Sequence, residues 1–272
     1  MSVNQEKLLQ YLRKETKKYI VKNNIKSLVL GVSGGFDSAC VAAIVEPICK
    51  ELNIPLIGMS LPSSTNKEEE IERANAILAC FCDKPYIQNI NHLYEETHYN
   101  IAHVQNSSLD KIRKGNIKAR IRMIILYDKA QETSGMVLST DNYTELMLGF
   151  WTLHGDVGDF GIIQNLYKTE LYELAQYIVD NDTIDCNKKE ALQACIDAVP
   201  TDGLGITSSD MESIGLPTYK EIDERLKYYL DDYGTPIKDC PIYSRIIKTN
   251  YKRKNPYNLK INRKMFQNEE KK

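Results

Sequence analysis

Two hydrophobic periodicities alternate along the first half of this chain. Positions 5–22 repeat apolar residues at helical spacing and predict an amphipathic helix. Residues 27–32, SLVLGV, are a short branched apolar run, the pattern of a strand buried on both faces. A helix is predicted from Asp37 to about Lys50, with Pro47 expected to end or kink it. IPLIGMSLP (54–62) predicts a second strand, NKEEEIERANAILACFC (66–82) a helix with an acidic first turn, and YIQNIN (86–91) a third strand. After a loop and a small helix come a long helix over about 109–133 and a fourth strand at GMVLST (135–140). Beyond Asn142 the pattern turns helical and Gly-rich, with KTELYELAQYI and YKEIDERLKYYL as helices.

Strands alternating with helices of this length imply an α/β fold. The expectation is a doubly wound parallel sheet of about five strands with helices on both faces and a helical C-terminal part. No internal repeat or low-complexity linker divides the chain, so residues 1–272 are expected to form a single domain. Residues 255–272 are expected to be a mobile tail. Ligands of such sheets lie beyond the carboxyl ends of the strands, where strand order reverses. SGGFDS follows the first strand and STDNYTE the fourth. With the usual winding these two stretches face each other.

Composition narrows the partners more than the fold. The apolar fraction of 42% and charged fraction of 26% are ordinary for a globular protein. A net charge of -2 exerts no pull toward nucleic acid or an anionic membrane, and no apolar run is long enough to cross a bilayer. The first twenty residues lack a secretory apolar core and cleavage site. Seven cysteines, with Cys80 and Cys82 the only close pair, suit reduced, mostly structural thiols. A cytoplasmic protein is therefore expected. Four histidines without H-x-x-x-H spacing argue against a His-based metal centre.

The turn after the first strand carries the chemistry. G-x-x-x-x-G-K-[ST] and G-x-G-x-x-G are both absent. Ser33-Gly34-Gly35 nevertheless offers small side chains, backbone N–H groups and a following helix N-terminus, a combination that attracts anions. On the turn alone, Asp37 reads in two ways. It caps the helix, or it holds a cation such as Mg²⁺ against bound phosphates.

Ser33-Gly34-Gly35-Phe36-Asp37-Ser38 resembles the S-G-G-x-D-S pyrophosphate loop of the ATP pyrophosphatases, whose fold is the adenine nucleotide alpha hydrolase type. KGNIKARIRM (114–123), STDNYTE (139–145), GDVGD (155–159), NLYKTEL (165–171), PTDGL (200–204) and KTNYKR (248–253) resemble, in order, segments of the NAD synthetases. The likeness runs from about residue 5 to 266. It has no room for the amidase domain of glutamine-dependent members, so it resembles the ammonia-dependent type. The resemblance implies ATP-dependent amidation of deamido-NAD by ammonia, through an acyl adenylate, to give NAD, AMP and pyrophosphate.

The resemblance also implies roles. Gly31, Val32, Ser33, Gly34, Gly35, Phe36, Asp37 and Ser38 would wrap the ATP phosphates, with Thr140, Lys168 and Thr201 as further ATP contacts. Asp37 and Glu145 would bind Mg²⁺. Arg120, Tyr127, Asp159, Tyr251 and Lys252 would contact deamido-NAD, and Asp156 would hold ammonia or take its proton. A homodimer with a shared active site is implied, with the helix at 109–133 as an interface element. Tyr127 reads equally as core packing and Glu145 as an ordinary first-turn acid. The ten Lys and Arg from Arg245 to Lys272 read as a lid over polyphosphate rather than a nucleic-acid site.

Three departures lie on the dinucleotide side. Leu153 stands where familiar members have Lys, Tyr251 where many have His, and GDVGD is one residue short with Val157 replacing Gly. Lys118 or Lys252 is expected to compensate for Leu153, with His154 as a further candidate. Rival readings are a tRNA-thiolating or GMP-forming enzyme with the same loop, and a non-catalytic ATP-binding protein. The helical cysteines and intact Asp37 and Glu145 weigh against these.

Overall fold

A computed structural model describes residues 3–101, 110–182, 185–200, 216–230 and 240–260. Five parallel strands make one sheet: β1 (Leu28–Gly31), β2 (Leu56–Ser60), β3 (Lys84–Ile87), β4 (Met136–Ser139) and β5 (Phe160–Gly161). Their order is β3-β2-β1-β4-β5. β1 pairs with β2 from Leu28↔Leu56 to Gly31↔Met59, and with β4 through Leu28↔Met136 and Val29↔Val137. The chain thus winds outward from β1 to β3, then returns to β4 on the other side. The crevice between β1 and β4 is the switch point at which such sheets bind ligands.

β1, β2 and β4 are buried on both faces, as their uninterrupted apolar runs required, whereas β3 at the sheet edge is exposed. Leu28 and Leu30 face a cluster built from α1 (Gln5–Lys22), α2 (Phe36–Leu52), α3 (Glu68–Phe81), α7 (Lys168–Asn181) and α8 (Cys186–Ile196). Val29 and Val137 face the opposite layer, chiefly Ile117, Ile121 and Leu126 of α5 (Asp110–Glu132). Each fully buried side chain of this size contributes about 1.5–3 kcal/mol. A third cluster joins α6 (Tyr143–Leu148), α9 (Tyr219–Leu230) and α10 (Pro241–Lys248), through Leu148, Leu226 and Ile246 among others.

Three local expectations are corrected. α2 runs through Pro47 to Leu52. The missing Pro47 N–H leaves the Ala43 carbonyl without its helical donor, and Arg13 of α1 supplies one, its Nη2 at 3.3 Å from that oxygen. The third strand starts two residues early and stops at Ile87. The Asn89 side chain accepts from the Asn91 N–H at 2.8 Å, a turn that launches α4 (Asn91–Ile101) and ends the extended run. β5, unforeseen among the helices beyond Asn142, has two residues and carries no periodic signature.

Candidate functional site

The turn between β1 and α2 has its shape built in. Gly34 has φ of +76°, and a Cβ there would meet the Glu70 carbonyl oxygen at 1.9 Å, so only glycine fits. Ser33 Oγ accepts from the Gly35 N–H at 3.1 Å and lies 3.2 Å from Ser38 Oγ. Ser38 Oγ in turn donates to the Gly35 carbonyl at 3.1 Å. Arg73 holds the turn from α3, its Nε donating to the Gly34 carbonyl at 2.9 Å. Phe36 stacks on Tyr172 with centroids 4.0 Å apart. The N-terminus of α2 consequently opens onto a cavity of about 620 Å³. All of the predicted loop residues but Gly34 line it, as do Thr140, Glu145, Lys168, Asp156 and Lys252.

Asp37 does not cap its helix; Gly35 holds the N-cap position with no side-chain hydrogen bond. The Asp37 carboxylate reaches across the crevice, Oδ1 accepting from Asn142 Nδ2 at 2.9 Å and Oδ2 from Lys168 Nζ at 2.5 Å. Glu145 arrives from a capping box at the start of α6, where Asn142 Oδ1 accepts from the Glu145 N–H at 3.0 Å. Its Oε1 accepts from the same Lys168 ammonium at 3.0 Å. Two carboxylates from opposite sides of the switch point therefore converge on one cation.

Lys168 is the first residue of α7 and only 2% exposed. Burial opposes its charge, but Asp37 and Glu145 outweigh it and hold the ammonium well above its ordinary value. A buried acid fixes its backbone. Asp223 of α9 accepts from the Thr169 N–H at 2.8 Å and from Thr144 Oγ1, which itself accepts from the Lys168 N–H at 2.9 Å. α6, α7 and α9 are thus stapled around the cation-holding pair.

The far wall of the cavity holds a buried acid, Asp141, and a half-buried one, Asp156, among cations. Burial pushes Asp156 up to about 6, against the Thr152 N–H, which it accepts at 2.8 Å, and the charges of Lys252, Arg120 and Arg122. Asp141 is also held well above the ordinary carboxylate value, first by burial and then by Asp156 and Glu145. Lys252 Nζ donates to the Gly149 carbonyl at 2.7 Å and to the Trp151 carbonyl, and burial lowers its pKa. Burial also brings Arg122 down to about 10. Its Nε donates to the Leu61 carbonyl at 3.0 Å.

Of the predicted deamido-NAD contacts, only Lys252 shares this wall. Arg120 is exposed and donates to the Leu153 carbonyl at 3.1 Å. Tyr127 donates to Asp159 Oδ1 at 2.9 Å, while Asp159 Oδ2 accepts from the Val137 N–H at 3.0 Å. Tyr251, on α11 (Asn250–Arg253), is 64% exposed. These four lie outside the cavity lining. Of the cations suggested to offset Leu153, Lys118 is buried and donates to Thr65 Oγ1 at 3.1 Å, while Lys252 lines the cavity. His154 sits at φ +59° beside Asn255. Thr201 and the tail beyond 260 lie outside the described residues.

Sequence reasoning missed Asn142, Asp141, Asp223 and Arg122. Arg122 had a signal: two residues after Arg120 on one helix, it faces the opposite way, inward. Asp141 and Asn142 sit inside the STDNYTE stretch, which was read only at its ends. Asp223 had none, because its role depends on α9 packing against α7.

Among the described residues no group of three or more His, Cys, Asp or Glu could hold a metal unaided. A hard divalent ion would take Asp37 and Glu145 and complete its shell with water and phosphate oxygen, as Mg²⁺ does. The convergence of both carboxylates on an ammonium fits that need.

Residues 8–256 match the family described as NAD synthase. The NH(3)-dependent NAD(+) synthetase of Finegoldia magna is 33% identical over 97% of this chain and 100% of its own length. Of the solved structures, an NMN synthetase from Francisella tularensis matches with a TM-score of 0.79 and 25% identity, covering 96% of this chain and 100% of that one. An NH3-dependent NAD synthetase from Campylobacter jejuni, in complex with the nitrate ion, matches with a TM-score of 0.68 and 26% identity over 95% and 100% of the two chains.

Proposed function

The chain belongs to the NAD synthase family, and on that premise we propose how its residues divide the work of that family's reaction. The reaction is a C–N ligation: deamido-NAD, ATP and ammonia give NAD, AMP and pyrophosphate. A nicotinate carboxylate resists ammonia because it is anionic and lacks a leaving group. Attack of that carboxylate on the α-phosphorus of ATP forms an acyl adenylate and releases pyrophosphate. Ammonia then attacks the acyl carbon, AMP departs, and the extra proton passes to a base.

Gly31 to Ser38 wrap the polyphosphate, using backbone N–H groups and the α2 N-terminus. Asp37 and Glu145 would hold Mg²⁺, which would supply charge neutralisation to the polyphosphate when bound. Thr140, Lys168 and Thr201 contact ATP. Asp156 takes the ammonia proton, a role that its raised pKa and place on the cavity wall support. Arg120, Tyr127, Asp159, Tyr251 and Lys252 hold the acceptor. The observation that carries this reading is the convergence of Asp37 and Glu145 on one cation beside the glycine turn. Residues 1–272 act as a single synthetase domain, and the protein works as a cytoplasmic homodimer whose second copy covers the exposed acceptor residues. All seven cysteines are free, in keeping with a reducing compartment.

A mononucleotide acceptor is the second reading. It is favoured by the higher TM-score to a structure named an NMN synthetase and by Leu153 and Tyr251 on the dinucleotide side. One assay separates the two. Purified protein with Mg²⁺-ATP and ammonium receives deamido-NAD or nicotinate mononucleotide, and amide product, AMP and pyrophosphate are followed together. We expect all three with deamido-NAD and a fall of at least 10²-fold in Asp37→Ala, the scale of losing one preorganised electrostatic contact. Turnover confined to the mononucleotide would replace the acceptor and leave the adenylating half intact.

A further inference from the structure

Resting on the ATP-site reading above, we propose that the Lys168 ammonium occupies the metal position until nucleotide arrives, so that a divalent ion enters this site with ATP and not before it. The geometry carries this. Nζ lies 2.5 Å from Asp37 Oδ2 and 3.0 Å from Glu145 Oε1, on the two carboxylates that would hold the metal. The rings of Phe36 and Tyr219 lie 5.5 and 5.2 Å from the ammonium and close it in. The side chain is 2% exposed, so little water is available to screen a second cation there.

An incoming divalent ion meets two obstacles. It must displace a fixed positive charge from the two carboxylates that hold it, and like charges repel strongly at such separations in a poorly solvated site. It must also reach those oxygens at about 2.0–2.1 Å with near-octahedral water around it, and the ammonium sits in that space. Neither obstacle yields to raising the metal concentration modestly. A triphosphate in the glycine turn changes both. Lys168 and the turn line the same cavity, so the ammonium can swing on its flexible stem toward phosphate oxygen. The carboxylates are then released together with the arrival of the metal carried by the nucleotide. The backbone need not move, because Thr144 and Asp223 pin the first turn of α7.

The test reads metal binding rather than turnover. Mn²⁺ is titrated into nucleotide-free protein and the free ion is followed by electron paramagnetic resonance. Wild type is expected to bind Mn²⁺ at this site at least tenfold more weakly than Lys168→Met, and adding Asp37→Asn to that variant should abolish the gain. Tight Mn²⁺ binding by nucleotide-free wild type overturns the proposal, and so does equally weak binding by a folded Lys168→Met. If Lys168→Met does not fold, Lys168→Gln takes its place, and the wild-type titration remains decisive by itself. Failure here leaves amidation untouched, whereas a protein that passes here yet forms no pyrophosphate would sink the ATP-site reading instead.

Discussion

Asp156 is the residue whose protonation should be visible in both rate and stability. Its pKa of about 6 exceeds the ordinary carboxylate value because it is half-buried, and Lys252, Arg120, Arg122 and the Thr152 N–H offset only part of that. For an acid, a raised folded-state pKa means that the folded chain binds the proton more readily than the unfolded chain. Its contribution to stability is therefore unfavourable above pH 6 and fades as pH falls toward 4. Asp156→Asn should stabilise the protein at pH 7.5 by up to about 3 kcal/mol, two pKa units at 1.36 kcal/mol each, and by nothing near pH 4. Thermal melts across that range check the sign. The same variant should lose about 10²-fold in kcat/KM for ammonia, and with it the decline in rate below pH 6 expected of wild type. A variant with full rate at limiting ammonia would remove Asp156 from the proton transfer. A rate loss with no change in the pH profile would leave it a positioning residue.

The glycine turn and the helix after it act as one element, and Gly34 tests it. A methyl group at Gly34 would collide with the α3 backbone at Glu70 and would also sit in the left-handed region. Gly34→Ala should therefore lower stability by about 3 kcal/mol or more, and ATP affinity should fall with it because the turn must lift off α3. Gly35→Ala meets only Ser33 Oγ, at 3.1 Å, and is expected to be far milder. Urea melts of the two variants side by side would show the difference. Elements of this kind were legible in the sequence because they combine strong signals. The SLVLGV run, the glycines and Asp37 fall within a dozen residues, and each constrains the next. β3 was placed late because its Lys84-Pro85 start does not read as a strand, and only its position at the sheet edge tolerates Pro85. The Lys168 ammonium could be assigned to phosphate but not to Asp37, since that pairing exists only when β1 and β4 lie side by side. Asp223 is further still from legibility: its partners, Thr144 and Thr169, come from two other helices.

At the scale of the whole molecule, the residues proposed to hold the acceptor and the cavity pull in different directions. The glycine turn, Asp37, Glu145, Lys168 and Asp156 enclose one space, whereas Arg120, Tyr127, Asp159 and Tyr251 face outward from it. An acceptor held by both sets would keep half its surface in water, where an acyl adenylate hydrolyses. A second copy lying along α5, as proposed, would resolve this, and α5 has apolar side chains to offer it: Ile124 is 66% exposed, Ile112 46% and Tyr127 40%. Light scattering is expected to give twice the chain mass of 31.1 kDa at micromolar concentration. Ile124→Asp places a charge in the middle of that surface. It should yield a folded monomer that still quenches or enhances Trp151 fluorescence on binding Mg²⁺-ATP, since Trp151 is the single tryptophan and lines the cavity. Amidation in that monomer should fall by at least tenfold and recover in part as protein concentration rises. A wild-type monomer with full activity would mean that one chain shields its own adenylate, and that the outward-facing residues do not hold the acceptor.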